Sequence, residues 1–216
     1  MKNWIMTLKI LALGLSALIA VFHFNSKSAE PFQPEFKLGV DYQQLTDNKD
    51  NSDLELSSSN LIEVFYWYGC DACYLTESLL ADYLKGKPDV NLVRIPLVAR
   101  LNWREQAYLQ PLMEQLVVNS EISYLDVYKQ CMEDCQVFSN FDTSLTWLKS
   151  KLEDKPELII DQSLIWQAEK NYRKRAEIFS IAQVPTIIIN GKYKVDANHA
   201  GTAERLIEIV DFLLSQ

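Results

Sequence analysis

Leu61-Ile62-Glu63-Val64-Phe65-Tyr66-Trp67-Tyr68-Gly69-Cys70-Asp71-Ala72-Cys73 is the stretch whose reading decides the fold. Leu61 to Tyr68 is apolar at nearly every position, the pattern of a strand covered on both faces. Gly69 interrupts it, and Leu75, Leu79, Leu80, Tyr83 and Leu84 then recur at helical spacing until Gly86 and Pro88. Strand, CxxC, helix sets Cys70 at a helix N-terminus, where unpaired backbone N–H groups and the positive end of the dipole favour a thiolate. Cys73, one turn in, is the shielded thiol. That is a redox arrangement. Zinc ligands share the spacing but need two further partners, and His199 is the one histidine beyond the N-terminal segment. No metal is expected at the pair.

Outward from that core, residues 1–28 read as a targeting segment. Lys2 and Lys9 flank its start, Ile10 to Phe24 is apolar, and Ser26, Ser28 and Ala29 suit cleavage after Ser28. The competing reading is a retained anchor, with Lys9 and His23 snorkelling. Either puts the remaining 188 residues outside the cytoplasm, where disulfides persist. The chain carries a formal charge of −8, and loss of Lys2, Lys9 and Lys27 leaves the remainder near −11. So acidic a body argues against nucleic acid and anionic membrane surfaces as partners. Four cysteines are too few for a disulfide scaffold, and a chain of this length needs none.

Residues 29–60 form an N-terminal extension: prolines 31 and 34, a short edge strand within Val40 to Leu45, and a polar loop from Thr46 to Asn60. Residues 61–103 hold the CxxC segment and a second strand, Val90 to Ile95, closed by Pro96. Residues 104–180 are helical throughout, with apolar stripes at Leu109/Leu112/Met113/Leu116, Tyr124/Val127/Tyr128/Cys131 and Leu145/Leu148/Leu152, then a long amphipathic helix from Gln162 to Phe179. Residues 181–216 supply a strand from Thr186 to Ile189, an Asn190-Gly191 turn, a return strand from Lys192 to Val195, and a helix from Thr202, its N-cap, to Leu214. The order is an α/β sheet interrupted by a helical insertion.

With these segments in place, the chain resembles the DsbA-like thiol:disulfide interchange proteins of the thioredoxin superfamily. The resemblance rests on Glu63 to Tyr74 around the CxxC, on Pro96 with Asn102-Trp103-Arg104, and on Gln183-Val184-Pro185-Thr186 running into Ile187-Ile188-Ile189-Asn190-Gly191-Lys192-Tyr193. It implies a thioredoxin fold with an inserted helical domain. It implies catalysis by Cys70 and Cys73 without a cofactor, and a cis Pro185 that leaves the peptide of Val184 free to pair with an extended substrate. The implied partners are reduced or unfolded exported proteins and a quinone-linked membrane oxidase of the DsbB type, and the implied location is the periplasm. Residues 29–60 are too short for a dimerisation domain, which points to a monomer.

Three departures from the family pattern stand out. Asp71-Ala72 lies between the cysteines where a histidine commonly precedes the second, and a carboxylate opposes a thiolate. A milder oxidant is expected, which keeps open an isomerase or reductase held reduced by a membrane electron donor. The position six before the first cysteine is Val64, whereas the family commonly has an acid there. Glu63 can assist Cys73 as a proton relay only if a bulge turns it to that face. Cys131 and Cys135, four apart, leave three readings: a local structural disulfide, two buried free thiols, or a second redox or metal-linked role. A non-catalytic chaperone or metal-binding module is the reading from another class. The aromatic residues Tyr66, Trp67, Tyr68 and Tyr74 around the CxxC are expected mostly to be core or helix-packing groups, with Trp67 or Tyr68 the candidates to edge an apolar groove. His199 is expected to be a solvated loop residue.

Overall fold

A computed structural model describes residues 35–45, 60–117, 122–152 and 160–216. Residues 1–28, expected to be a targeting segment, and most of the polar loop expected from Thr46 to Asn60 lie outside the described residues. The elements run β1 (Gln43–Gln44), β2 (Leu61–Tyr66), α1 (Asp71–Tyr83), β3 (Asn91–Pro96), α2 (Leu101–Ala107), α3 (Gln110–Val117) and α4 (Tyr124–Asp134). A 3-10 turn (Cys135–Phe138) follows, then α5 (Phe141–Ser150), α6 (Gln162–Ile178), β4 (Thr186–Ile189), β5 (Tyr193–Asp196), α7 (Ala197–Ala200) and α8 (Ala203–Leu214).

The strands make one sheet in the order β1-β5-β4-β2-β3. β2 is central, parallel to β3 and antiparallel to β4, and all six of its residues are buried, as its unbroken apolar run requires. Alternate side chains serve opposite faces. Ile62 and Val64 pack with Leu80 of α1 and with Leu206, Ile209 and Leu213 of α8, while Phe65 packs with Ile95, Ile188 and Phe179 beside α6. A third core fills the helical block and reaches β2 through Tyr66, the turn after it through Tyr68, and α1 through Cys73. The fold is therefore mixed α/β, a thioredoxin-type sheet with a helical insertion between β3 and β4.

Local chemistry sets the boundaries. Asn190 and Gly191 take φ of +53° and +64°, the paired left-handed conformation that a two-residue hairpin needs. Asn190 also accepts from the Leu61 amide at 2.9 Å through its side chain, fastening the hairpin to the start of β2. Thr202 caps α8 by accepting from the Arg205 amide. The edge strand is shorter than the segment from Val40 to Leu45, since two residues, Gln43 and Gln44, pair with Lys194 and Tyr193. On α1 the buried stripe is Cys73, Thr76, Glu77 and Leu80, whereas Leu75 is exposed. The stripe is rotated from the expected one because Glu77 is held inside by Arg94.

Glu63 requires a correction. β2 pairs residue for residue with both neighbours, so no bulge turns Glu63 toward α1. The side chain is 0% exposed and binds Arg175 of α6, on the sheet face opposite Val64. Its pKa is raised because burial outweighs the guanidinium, and among the described residues its second oxygen has no hydrogen-bond partner. It is a sheet-to-helix clamp and is not brought to Cys73. Replacing Arg175 by Leu strands that carboxylate and should cost about 3 kcal/mol at pH 7. In urea unfolding the loss should shrink by pH 4, where the raised pKa lets Glu63 carry a proton; equal losses at both pH values would count against the pairing.

Candidate active site

Cys70 is the N-cap of α1, with extended backbone at φ −114° and ψ 110°, and its sulfur accepts the Cys73 amide at 3.2 Å. The four orphan amides of a helix start give a sulfur there its best source of positive partial charge. The two thiols are pushed in opposite directions. The thiol of Cys73, followed by the amides of Cys73 and Ala72, holds the Cys70 pKa below the ordinary thiol value, against partial burial and the Asp71 carboxylate. Burial, then the neighbouring Cys70, pushes Cys73 well up. Cys73 is 2% exposed and Cys70 is half-buried. One sulfur meets solvent and one does not.

The cis Val184–Pro185 peptide sits over the pair, with the Cys70 sulfur 3.9 Å from the Val184 carbonyl oxygen. That loop is tied down from both ends. Pro185 accepts from the Ala197 amide at 3.3 Å, Thr186 donates its hydroxyl to the Gln183 carbonyl at 2.9 Å, and Asn198 donates to the Gln183 side chain at 2.6 Å. His199 belongs to the same brace and is not simply solvated: its Nδ1 lies 2.8 Å from Asp196 and its Nε2 3.3 Å from Gln43. Beside Pro185 is a pocket of about 260 Å³ lined by Leu75, Ala72, Ala197, Thr202 and Leu206. The exposure of Leu75 is thereby accounted for.

On the other flank Trp67 stacks on Trp103, ring centroids 4.6 Å apart and nearly parallel. A Cβ added to Gly69 would overlap the Trp67 indole, so the turn into the CxxC needs glycine for space. Tyr68, the alternative groove edge, is instead core: it is 1% exposed and packs on Tyr66 and Tyr128.

Around Glu77, one turn after Cys73 on α1, and Tyr66 at the end of β2 lies a polar network that sequence reading missed. The Tyr66 hydroxyl donates to Gln110, whose amide donates to Tyr124 at 3.1 Å and to Glu114 at 2.9 Å. Arg94 makes a two-pronged pair with Glu77 and lies 4.1 Å from the Tyr124 ring centroid. Arg94 sits opposite Val64 in the β2–β3 register, so this ion pair occupies the face where the family acid was expected. The available signal was Glu77, seven residues after Cys70 and inside an apolar helix face. Cys131 and Cys135 are joined as a disulfide, so the free-thiol reading is set aside for them. Among the described residues, no group of three or more His, Cys, Asp or Glu could hold a metal ion.

No protein-family model matches the chain. The DsbA of Pseudomonas syringae pv. tomato, described as a thiol:disulfide interchange protein, is 24% identical over 221 residues, spanning 100% of this chain and 96% of that protein. The Azotobacter vinelandii protein of the same description is 23% identical, with 96% and 97% covered. The chain is DsbA-like. Solved structures agree on the fold: Pseudomonas aeruginosa DsbA superposes with a TM-score of 0.72 at 22% identity, covering 83% of this chain and 93% of that one. NmDsbA1 of Neisseria meningitidis gives 0.66 at 19%, covering 83% and 92%.

Two outcomes follow for the DsbA-like site. In the reduced chain, Cys70 should alkylate with a pH midpoint below the ordinary thiol value of about 8.5. Asp71→Asn should lower it further, while Cys73 stays unmodified; an unchanged midpoint in that variant would refute the assigned role of Asp71. The depressed pKa also adds stability to the reduced fold, complete above the ordinary thiol range and lost as pH falls through the pKa of Cys70. Separately, Gly69→Ala should destabilise by about 1–3 kcal/mol through overpacking. Tryptophan fluorescence should report a disturbed Trp67–Trp103 stack, and an unaltered spectrum with full stability would show that the turn has room.

Proposed function

We propose that this DsbA-like thiol:disulfide oxidoreductase donates the Cys70–Cys73 disulfide to other exported proteins as they fold. The observation that carries the reading is the opposed bias of the two thiols: Cys70 down, Cys73 up. A substrate thiolate attacks Sγ of Cys70, the Cys70–Cys73 bond breaks, and Cys73 departs. Burial disfavours a Cys73 thiolate, so it leaves taking up a proton. A second substrate thiolate then attacks the substrate sulfur of the mixed disulfide and expels Cys70, whose stabilised thiolate makes it a good leaving group. The substrate ends oxidised and the protein reduced.

Val184 and Pro185 would hold the substrate strand through the backbone of half-buried Val184 beside Cys70, with the pocket next to Pro185 receiving an apolar side chain. The family resemblance supports a periplasmic location, a cleaved signal peptide in preference to a retained anchor, a monomer, and reoxidation by a quinone-linked membrane partner. No described helix is long and apolar enough to cross a membrane. Asp71 favours a second reading. Its charge opposes the Cys70 thiolate, which moves the pair toward the reduced-state poise of an isomerase or reductase served by a membrane electron donor.

Oxidised protein mixed with a reduced, unfolded disulfide protein should transfer one disulfide per chain. Cys70→Ser should abolish transfer, and Cys73→Ser should trap a mixed disulfide at Cys70. Transfer surviving in Cys70→Ser would leave only a chaperone-like or other binding role. Equilibration of the Cys70/Cys73 pair with glutathione separates the directions: a strongly oxidising pair supports donation, and one near thioredoxin's supports the reductase.

A further inference from the structure

The reaction at the CxxC leaves Cys131 and Cys135 unused, and their surroundings do not suit a permanent brace. Cys131 is 4% exposed inside the helical core, whereas Cys135 is half-buried where α4 gives way to the 3-10 turn, between exposed Asp134 and Gln136. Those two residues, with Val137, Asp142 and Trp147, line an open pocket of about 540 Å³. A disulfide with one approachable and one enclosed sulfur can be attacked at one end only, the same asymmetry that Cys70 and Cys73 have.

Gln106 is the second observation. This α2 side chain is 2% exposed, and its amide nitrogen points at both sulfurs, 3.4 Å from Cys135 and 3.9 Å from Cys131. Its carbonyl oxygen has no hydrogen-bond partner among the described residues. Disulfide sulfurs are poor acceptors and donate nothing, so a buried carboxamide is half-satisfied against them at best. A dithiol suits it better. The amide N–H can donate to a thiolate, and the oxygen can accept from a thiol S–H. Gln106 is matched to the reduced pair and poorly matched to the oxidised one.

We propose that Cys131–Cys135 is a second exchangeable disulfide, opened and closed by small thiols that react at Cys135, with Gln106 as the positioning residue for the reduced pair. The thiolate of a small thiol attacks Sγ of Cys135, and the Cys131–Cys135 bond breaks. Cys131 leaves with the electron pair, receives the Gln106 N–H, and takes a proton from solvent. A second small thiolate attacks the small thiol's sulfur in the mixed disulfide, giving the free disulfide of the small thiol and the Cys135 thiolate. Two thiols are oxidised and one protein disulfide is reduced, and the reverse sequence closes it again. None of this depends on the chemistry assigned to Cys70.

The full chain, equilibrated in graded mixtures of reduced and oxidised glutathione, acid-quenched, alkylated and peptide-mapped, reports each cysteine pair separately. The expected result is a Cys131/Cys135 transition while far-UV circular dichroism still shows the native fold. Cys131→Ser should accumulate glutathione on Cys135 at least about tenfold over what Cys135→Ser accumulates on Cys131, the contrast expected of an exposed against an enclosed sulfur. Gln106→Leu should move the midpoint about tenfold toward the disulfide, the size of one lost hydrogen bond to a charged group, and leave the Cys70/Cys73 midpoint in place. Should the single-cysteine variants not fold, mapping of the unmodified chain decides alone. A pair that stays oxidised until the fold is lost overturns the proposal, as do an adduct on Cys131 or an unmoved midpoint in Gln106→Leu.

Discussion

The contact between the Cys70 sulfur and the amide of Cys73, 3.2 Å long at the first turn of α1, is the constraint on which the site depends. It makes one sulfur both the cap of a helix and the thiol with the lowered pKa. A capping atom must sit outside the helix, at extended backbone, and therefore near solvent. The residue three positions on must point back under the cap, and therefore inward. Exposure of Cys70 and burial of Cys73 are consequences of one piece of helix geometry, and the opposed pKa shifts follow from it: the Cys73 thiol and the amides of the helix start lower Cys70, whereas burial and the neighbouring Cys70 raise Cys73.

Everything around that turn holds it in place. β2 delivers the chain to Gly69 as a buried central strand, and the absence of a Cβ at Gly69 lets Trp67 fold across the turn onto Trp103. The Val184–Pro185 loop comes from the far end of the sequence, and its ties to Ala197 and Asn198 keep it beside Cys70. Charge is distributed by the same architecture. Two buried carboxylates flank β2, Glu63 against Arg175 on one face and Glu77 against Arg94 on the other, and each is neutralised locally. Neither lies free beside the thiols, so Asp71, exposed and adjacent to Cys70, is the carboxylate that opposes its thiolate.

Much of this was legible in residue order. The apolar run to Tyr68, the CxxC, the Asn190-Gly191 hairpin and the Thr202 cap are local signals, written within a few residues of the structure they specify. Three readings were decided only at longer range. Glu63 was ambiguous because its face depends on whether β2 pairs without a bulge, which its partners β3 and β4 decide. Tyr68 could be core or a groove edge, because an aromatic residue beside the CxxC suits either role, and its packing on Tyr66 and Tyr128 makes it core. His199 read as a loop residue because its partners include Gln43, 156 positions away.

The order of residues alone determined that two thiols would flank a helix start after a buried strand, that a proline-led strand would return late in the chain, and that helices would fill the interval. Those are matters of periodicity, turn chemistry and spacing, all carried by neighbours along the chain. Tertiary structure decided which acids are neutralised, which cysteine of the second pair can be reached, and where the Gln106 amide points. Such outcomes depend on side chains converging from distant segments, where burial and hydrogen-bond pairing are settled by packing rather than by sequence distance.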